Sequence, residues 1–220
     1  MDRAILSKRI SSILSEVTRL TNALNAMNTA SIQRYPDNYE VLSTDAALRA
    51  ERITCRLRHL IYSTTDIKKE EYLTSAAVMQ GIEIQRKGEV LEIILPCLLP
   101  KRKQKQNTEY LLDPFTAALS QYAKSNPLPK LQHCVICFSH IYDRELPGRR
   151  IRDYDNLELK QFLDVAASFI LTDDSGLLCD AYNTTELCDT DCTRISIMDS
   201  KHFPDWLDTR EAALQSITDL

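Results

Sequence analysis

The sequence predicts an α+β protein in which an antiparallel two-helix hairpin precedes a small sheet with packed helices. Three observations support this prediction: helical apolar spacing within roughly the first 64 residues, period-two alternation in later segments, and Pro, Gly and Asp turn signals between them. A chain of 220 residues accommodates one domain of ordinary size and an appendage. We therefore expect a hairpin at residues 1–64, an α/β domain at 65–200 and a helical tail at 201–220.

The hairpin is predicted from apolar residues that recur in alternating steps of four and three, which is a heptad seam. They are Leu6, Ile10, Ile13, Val17, Leu20, Leu24 and Met27. Pro36 and its neighbours break this helix, and a second helix follows with small and apolar residues on one side. Such a hairpin serves self-association, packing on the main domain, or binding of a dedicated partner.

The first part of the α/β domain is predicted as a strand hairpin followed by a helix. Residues 81–95 alternate with period two, and Lys87 and Gly88 supply a tight turn. A helix is expected from Asp113, as N-cap, and Pro114 to about Lys124.

The second part is predicted to contain a buried strand, a helix and a final strand. The segment LQHCVICFSHIY is apolar on both faces, as in a central strand. Asn156 is expected to cap a helix that ends before Thr172, and the strand TRISIM follows a variable loop. The tail is expected to form one more helix.

Composition limits the possible classes of function. A net charge of −4 counts against a protein that coats DNA unselectively. No segment approaches the roughly 20 apolar residues that span a bilayer, and the first residues lack the apolar run of a secretory signal. Seven cysteines without such a signal are expected to be reduced thiols, and neither the CxxC at Cys134 nor the pair Cys188 and Cys192 favours zinc. We expect a cytoplasmic protein with no membrane partner.

Aspartates form the most informative cluster. If residues 153–155 are extended, Asp153 and Asp155 point to one side and Tyr154 to the other. The following helix could return Asp173 and Asp174 to the same end of the sheet. Clustered carboxylates repel one another and favour a hard divalent cation, Mg²⁺ or Mn²⁺, which can activate water against a phosphodiester. The alternative is that these aspartates are ordinary cap and turn residues.

Two basic clusters flank the aspartates and are candidates for DNA phosphate contacts. The first comprises Lys101, Arg102, Lys103 and Lys105, and the second comprises Arg144, Arg149, Arg150 and Arg152. The alternative is that both are solvated loops.

The run RRIRDYDNLELK, followed by LTDDS, resembles the signature of the RusA family of Holliday-junction resolvases. That signature has an arginine-rich approach, DxDNxxK, and a DD pair after the next helix. The order of elements over residues 89–199 is similar as well. The resemblance implies a RusA-like small mixed sheet and a homodimer that cuts branched DNA. It also implies Asp153, Asp155 and Asp174 as metal ligands and catalytic residues, with Asp173 as the first residue of the DD pair.

The catalytic lysine departs from the family pattern, because Leu159 stands where the pattern has lysine and Lys160 follows one residue later. An insertion between Asn156 and Lys160 could restore its direction. Two functional hypotheses follow: a metal-dependent, structure-selective DNA endonuclease, or a RusA-derived DNA-binding or assembly protein of a mobile element with weakened catalysis. A third is an α/β interaction protein with no nucleic-acid role.

Overall fold

The computed structural model describes residues 3–218, except for 103–107, 129, 147, 149, 150, 173 and 174. The described residues form six α-helices and a five-stranded mixed sheet, so the predicted α+β class is confirmed. They divide into two compact units. The helical unit is Met1–Tyr72 with Asn107–Tyr110, and the sheet unit is Leu73–Gln106 with Leu111–Leu220.

The helical unit is built on an antiparallel hairpin, as predicted. Helix α1 spans Arg3–Thr29 and helix α2 spans Pro36–Thr64, with Pro36 in the first turn of α2, where its missing N–H costs nothing. Their side chains pair in antiparallel register: Arg9 Nη1 donates to Ser63 Oγ at 3.3 Å, and Arg56 Nη2 donates to Ser12 Oγ at 2.8 Å.

Only part of the heptad seam is covered by this pairing. Ile13 is buried in α1, and Leu6, Leu20 and Met27 are half-buried. The alternate positions Ile10, Val17 and Leu24 are exposed. The seam therefore has one covered row and one open row.

Helix α4 begins earlier than the sequence indicated. It spans Glu109–Ser125 and contains Pro114, so the predicted start with Asp113 as N-cap is wrong. Because Pro114 has no N–H, it cannot donate to the Tyr110 carbonyl four residues before it. Buried Arg58 of α2 donates instead, from Nη2 to Tyr110 O at 3.0 Å and from Nη1 to Glu109 O at 3.1 Å.

Helix α3 spans Lys69–Gln80 and ends at Gly81, whose φ of 78° suits the left-handed turn that terminates a helix. The five strands that follow are β1 Glu83–Lys87, β2 Val90–Leu95, β3 Cys134–Asp143, β4 Cys179–Cys188 and β5 Cys192–Asp199. Their spatial order is β1-β2-β5-β3-β4, with β3 and β4 parallel and the other neighbours antiparallel.

Four of these strands match the sequence predictions and one was missed. Strands β1 and β2 form the expected hairpin, which turns at Gly88 with a φ of 59°. Strand β3 is buried along nearly its whole length and β5 lies beside it. The segment expected to be a variable loop is strand β4, paired with β3 along all ten residues.

Helices cover both faces of the sheet. Helix α5 spans Lys160–Ile170 and meets α4 through Phe162 and Phe115, whose ring centroids are 5.5 Å apart. Helix α6 spans Phe203–Thr218, and its first turns place Phe203 and Trp206 against the buried cluster around Cys137.

Two further features concern the cysteines and the lengths of the helices. None of the seven cysteines is in a disulfide, and Cys134 and Cys137, three residues apart on β3, face opposite sides of the sheet. Within the described ranges, no helix is both long and apolar enough to cross a membrane.

Candidate nucleic-acid and metal site

Residues 153–156 form a compact turn, which we call the acidic turn. Asp153 has extended backbone angles, φ −63° and ψ 143°, and Tyr154–Asn156 then form one turn of 3₁₀-helix. The prediction that Asp153 and Asp155 share one side of an extended segment is therefore wrong. Asn156 does not cap the following helix either, because α5 begins at Lys160 with Leu159 at the N-cap position.

Tyr154 fixes the acidic turn on the sheet. Its ring lies over the imidazole of His140 on β3, with a centroid distance of 5.5 Å, and its hydroxyl is 3.1 Å from Thr185 Oγ1 on β4. Leu157, directly after the turn, is buried in the core. The aromatic and apolar contacts on the sheet leave Asp153 and Asp155 exposed to solvent.

Residues 100–102, which we call the basic strap, pair with the end of the acidic turn. Arg102 N donates to Asn156 O at 2.7 Å, Glu158 N donates to Pro100 O at 2.9 Å, and Lys101 bridges Leu157 in antiparallel fashion. The strap follows β2 in the chain, so this pairing joins segments about 55 residues apart in sequence. Lys101 and Arg102 are thereby brought beside the aspartates, whereas Lys103 and Lys105 lie outside the described residues.

Two open clefts, each of about 390 Å³, adjoin the acidic turn. The Asp155 cleft is lined by Asp155, Tyr154, Lys160, Asp164 and Arg102, together with apolar residues of β3, β4 and α5. The Asp153 cleft is lined by Lys101, Arg102, Ile151, Arg152, Asp153 and Asn156. Arg102 lines both clefts, each of which contains one of the two aspartates.

Lys160 reaches the Asp155 cleft despite its shifted position in the sequence. Residues 157–159 precede the helix, so the extra residue is absorbed before α5 begins and does not rotate Lys160 around a helix. Its Nζ is 2.9 and 3.0 Å from the two carboxylate oxygens of Asp164, one turn later in α5. Lys160 and Asp155 therefore border the same cleft.

The predicted arginines have different surroundings. Half-buried Arg152 donates from Nη1 to Leu99 O at 3.3 Å, and its backbone N–H donates to the Tyr142 hydroxyl at 3.2 Å, so it helps to hold the turn. Arg144 directly follows β3, and its Nε lies 3.3 Å from Asp189 Oδ1. Arg149 and Arg150 lie outside the described residues.

The acidic turn supplies part of the ligand set that a hard cation would need. Asp153 and Asp155 are exposed carboxylates, and oxygen ligands of this kind suit Mg²⁺ or Mn²⁺. They line separate clefts, and in the part of the chain that the structure describes, no group of three Asp, Glu, His or Cys side chains is placed to hold a metal. Asp173 and Asp174 lie outside the described residues.

Sequence reasoning missed the support beneath the turn. His140 is fully buried, its Nε2 lies 3.3 Å from Asn183 Oδ1, and burial lowers the pKa of its imidazole while the Asn183 contact opposes this shift. The histidine within the apolar run of β3 was the available signal, because such a residue needs a polar or aromatic partner. Its partner Tyr154 could not be identified without the fold.

No curated protein matches the sequence. A match to a protein family covers residues 2–220, almost the whole chain. The chain therefore belongs to the family of unknown function DUF6100.

Proposed function

We propose that this protein is a metal-dependent, structure-selective DNA endonuclease. The observation that supports it best is the pairing of the basic strap with the acidic turn. Backbone hydrogen bonds of 2.7 and 2.9 Å hold Lys101 and Arg102 next to Asp153 and Asp155. Metal-dependent phosphodiester cleavage can use cations that bind phosphates together with carboxylates that bind a divalent metal.

Each part of the site has a role in this proposal. Asp153 and Asp155, with Asp174 and Asp173, would hold Mg²⁺ or Mn²⁺, which polarises the phosphodiester and activates water. Arg102, at the border of both clefts, would bind the phosphate next to the scissile bond. Lys160 borders the cleft of Asp155 and would stabilise charge that develops on the phosphate.

The resemblance to RusA resolvases supports branched DNA as the substrate and a homodimer as the active form. We place this activity in the cytoplasm. Two copies would place two sites on one four-way junction. The net charge of −4 fits recognition of a particular DNA shape through local contacts better than general coating of DNA.

A second candidate is a DNA-binding or assembly module of a mobile element with weakened catalysis. It is favoured by the separate clefts of Asp153 and Asp155, and by the ion pair that links Lys160 to Asp164. A protein of this kind would use Lys101 and Arg102 for phosphates without cutting.

Cleavage of a labelled four-way junction, beside linear duplex of the same sequence, tests the proposal with Mg²⁺, Mn²⁺ or EDTA. We expect metal-dependent cutting of the junction that Asp155→Asn abolishes. Asp208→Asn is the matched control, because Asp208 is also exposed but lies on α6, which packs on the face of the sheet opposite the acidic turn. Junction binding without cutting in any metal would favour the second candidate, and failure to bind any DNA would exclude both.

A further inference from the structure

The open row of the hairpin, together with Leu14, forms an apolar stripe on helix α1. Ile10, Leu14, Val17 and Leu24 have 40, 59, 39 and 49% of their surface exposed. Ile10, Val17 and Leu24 are spaced by seven residues, so they lie nearly in line along about 21 Å of helix. A row of this length is larger than the scattered single apolar residues that are normal on a protein surface.

The stripe carries no charge along this length. Between Ile10 and Leu24 the only charged residues are Glu16 and Arg19. Arg19 follows Val17 by two residues and so lies about 200° around the helix from it. Glu16 is directed to α2, where its carboxylate is 3.1 Å from Arg49 Nη1. Two identical stripes could therefore face each other without like-charge repulsion, which a charged face would not allow.

Two threonine hydroxyls beside the stripe are already satisfied within the helix. Thr18 Oγ1 donates to Leu14 O and Thr21 Oγ1 donates to Val17 O, both at 3.0 Å. Burial of these two hydroxyls would leave neither donor unpaired, so their desolvation costs little. This arrangement suits a surface that is covered in the working protein.

We propose that a second copy of this chain packs antiparallel against the α1 stripe, with Val17 on the two-fold axis. In this register, residues equally far from Val17 face each other, so Ile10 lies opposite Leu24 of the second copy. In this register Arg3, one heptad before Ile10, lies beyond the end of the second copy's α1 at Thr29, whereas a parallel pair would set Arg3 against Arg3. The apolar spacing fits either orientation, and the charge of Arg3 favours the antiparallel, self-complementary contact.

The expected affinity follows from the size of the stripe. A seam about 21 Å long and about 10 Å wide covers a few hundred Å², less than the roughly 800 Å² per partner of a standard stable interface. We therefore expect a dimer that dissociates at low concentration. This dimer and the proposed function have in common only the expectation of a second copy. Association and cleavage are measured separately, so the dimer proposal and the nuclease proposal can each be refuted without the other.

Sedimentation equilibrium of the full chain, from about 1 µM to about 100 µM, tests the inference. The average molecular mass of the natural chain should rise toward twice the monomer mass over this concentration range. Val17→Glu sets two like charges against each other at the axis, so it should remain monomeric. Asn22→Glu is the matched control: Asn22 is exposed on the same helix but lies about 140° around it from Val17, so this variant should associate like the natural chain.

Charge reversal makes the register itself testable. Val17→Glu and Val17→Lys should each be monomeric, and their equimolar mixture should form a heterodimer, because each residue meets its counterpart at the axis. Circular dichroism of the variants should match that of the natural chain, since residue 17 is solvent-exposed in the monomer. A natural chain that stays monomeric throughout, or a dimer that Val17→Glu leaves intact, would overturn the inference.

Discussion

Arg58 provides a sharp test of how the helical unit is held together. Arg58 is 3% exposed, and its guanidinium donates to the carbonyl oxygens of Glu109 and Tyr110 at 3.1 and 3.0 Å. Tyr110 O cannot accept the usual helical hydrogen bond from residue 114, because position 114 is proline. Arg58→Ala would remove both hydrogen bonds, including the one that replaces the missing donor of residue 114 at the Tyr110 carbonyl.

The expected loss follows from these two contacts. A hydrogen bond to a charged group contributes about 1.5 to 3 kcal/mol, and contacts that share one side chain add incompletely. We therefore expect Arg58→Ala to lower the free energy of unfolding by about 3 to 4 kcal/mol. Arg52→Ala, at an exposed position of the same helix, should change it by less than about 0.5 kcal/mol.

A double-mutant cycle isolates the role of the proline. Pro114→Ala restores an N–H that can donate to Tyr110 O, so Arg58→Ala should cost about 1 to 2 kcal/mol less in that background than in the natural chain. Urea unfolding followed by circular dichroism at the helical band measures all four variants. Equal losses from Arg58→Ala in both backgrounds would refute the claim that Arg58 substitutes for the missing helical donor.

Two further predictions concern the sheet unit. Because burial lowers the pKa of His140, the unfolded state binds more protons than the folded state below its ordinary value of about 6.5. Stability should therefore fall as pH decreases from there, by at most about 1.4 kcal/mol per pH unit for one proton. His140→Gln should make the free energy of unfolding less dependent on pH, as measured by urea unfolding followed by Trp206 fluorescence. The same pH dependence in this variant and the natural chain would contradict the role of His140. Arg102→Ala should weaken junction binding and reduce the slope of log affinity against log salt concentration by about 1. Arg19→Ala, on the hairpin, is the control and should leave both the affinity and the slope unchanged. Equal slopes for the two variants would contradict a phosphate contact of Arg102.

The hairpin and the central strand could be predicted because local patterns specify them. The heptad spacing of α1, the turn at Gly88 and the doubly apolar β3 each depend on residues near in sequence. Pro114 shows where this approach fails. Asp113-Pro114 is a good start signal, but a helix can continue through a proline when another group satisfies the freed carbonyl, and Arg58 lies 52 residues from Tyr110 in the chain.

Strand β4 was missed because its pattern is weak. It is an edge strand, largely polar and half-exposed, and its pairing with β3 depends on the parallel crossover through α5.

The sequence indicated the acidic turn as a motif but did not predict its conformation. Its 3₁₀ conformation depends on the pairing of residues 100–102 with 156–158 and on the contact of Tyr154 with His140, which sequence spacing does not reveal.

Metal binding is the most direct test of the claim that the acidic turn belongs to a cation site. Mn²⁺ titrations followed by electron paramagnetic resonance, with four-way junction present, would compare the natural chain with Asp155→Asn and the control Asp208→Asn. We predict that the natural chain and Asp208→Asn bind Mn²⁺ with the same affinity, and that Asp155→Asn loses at least about tenfold, a change of about 1.4 kcal/mol. Equal Mn²⁺ binding by all three proteins, or by none, would contradict the proposed metal site.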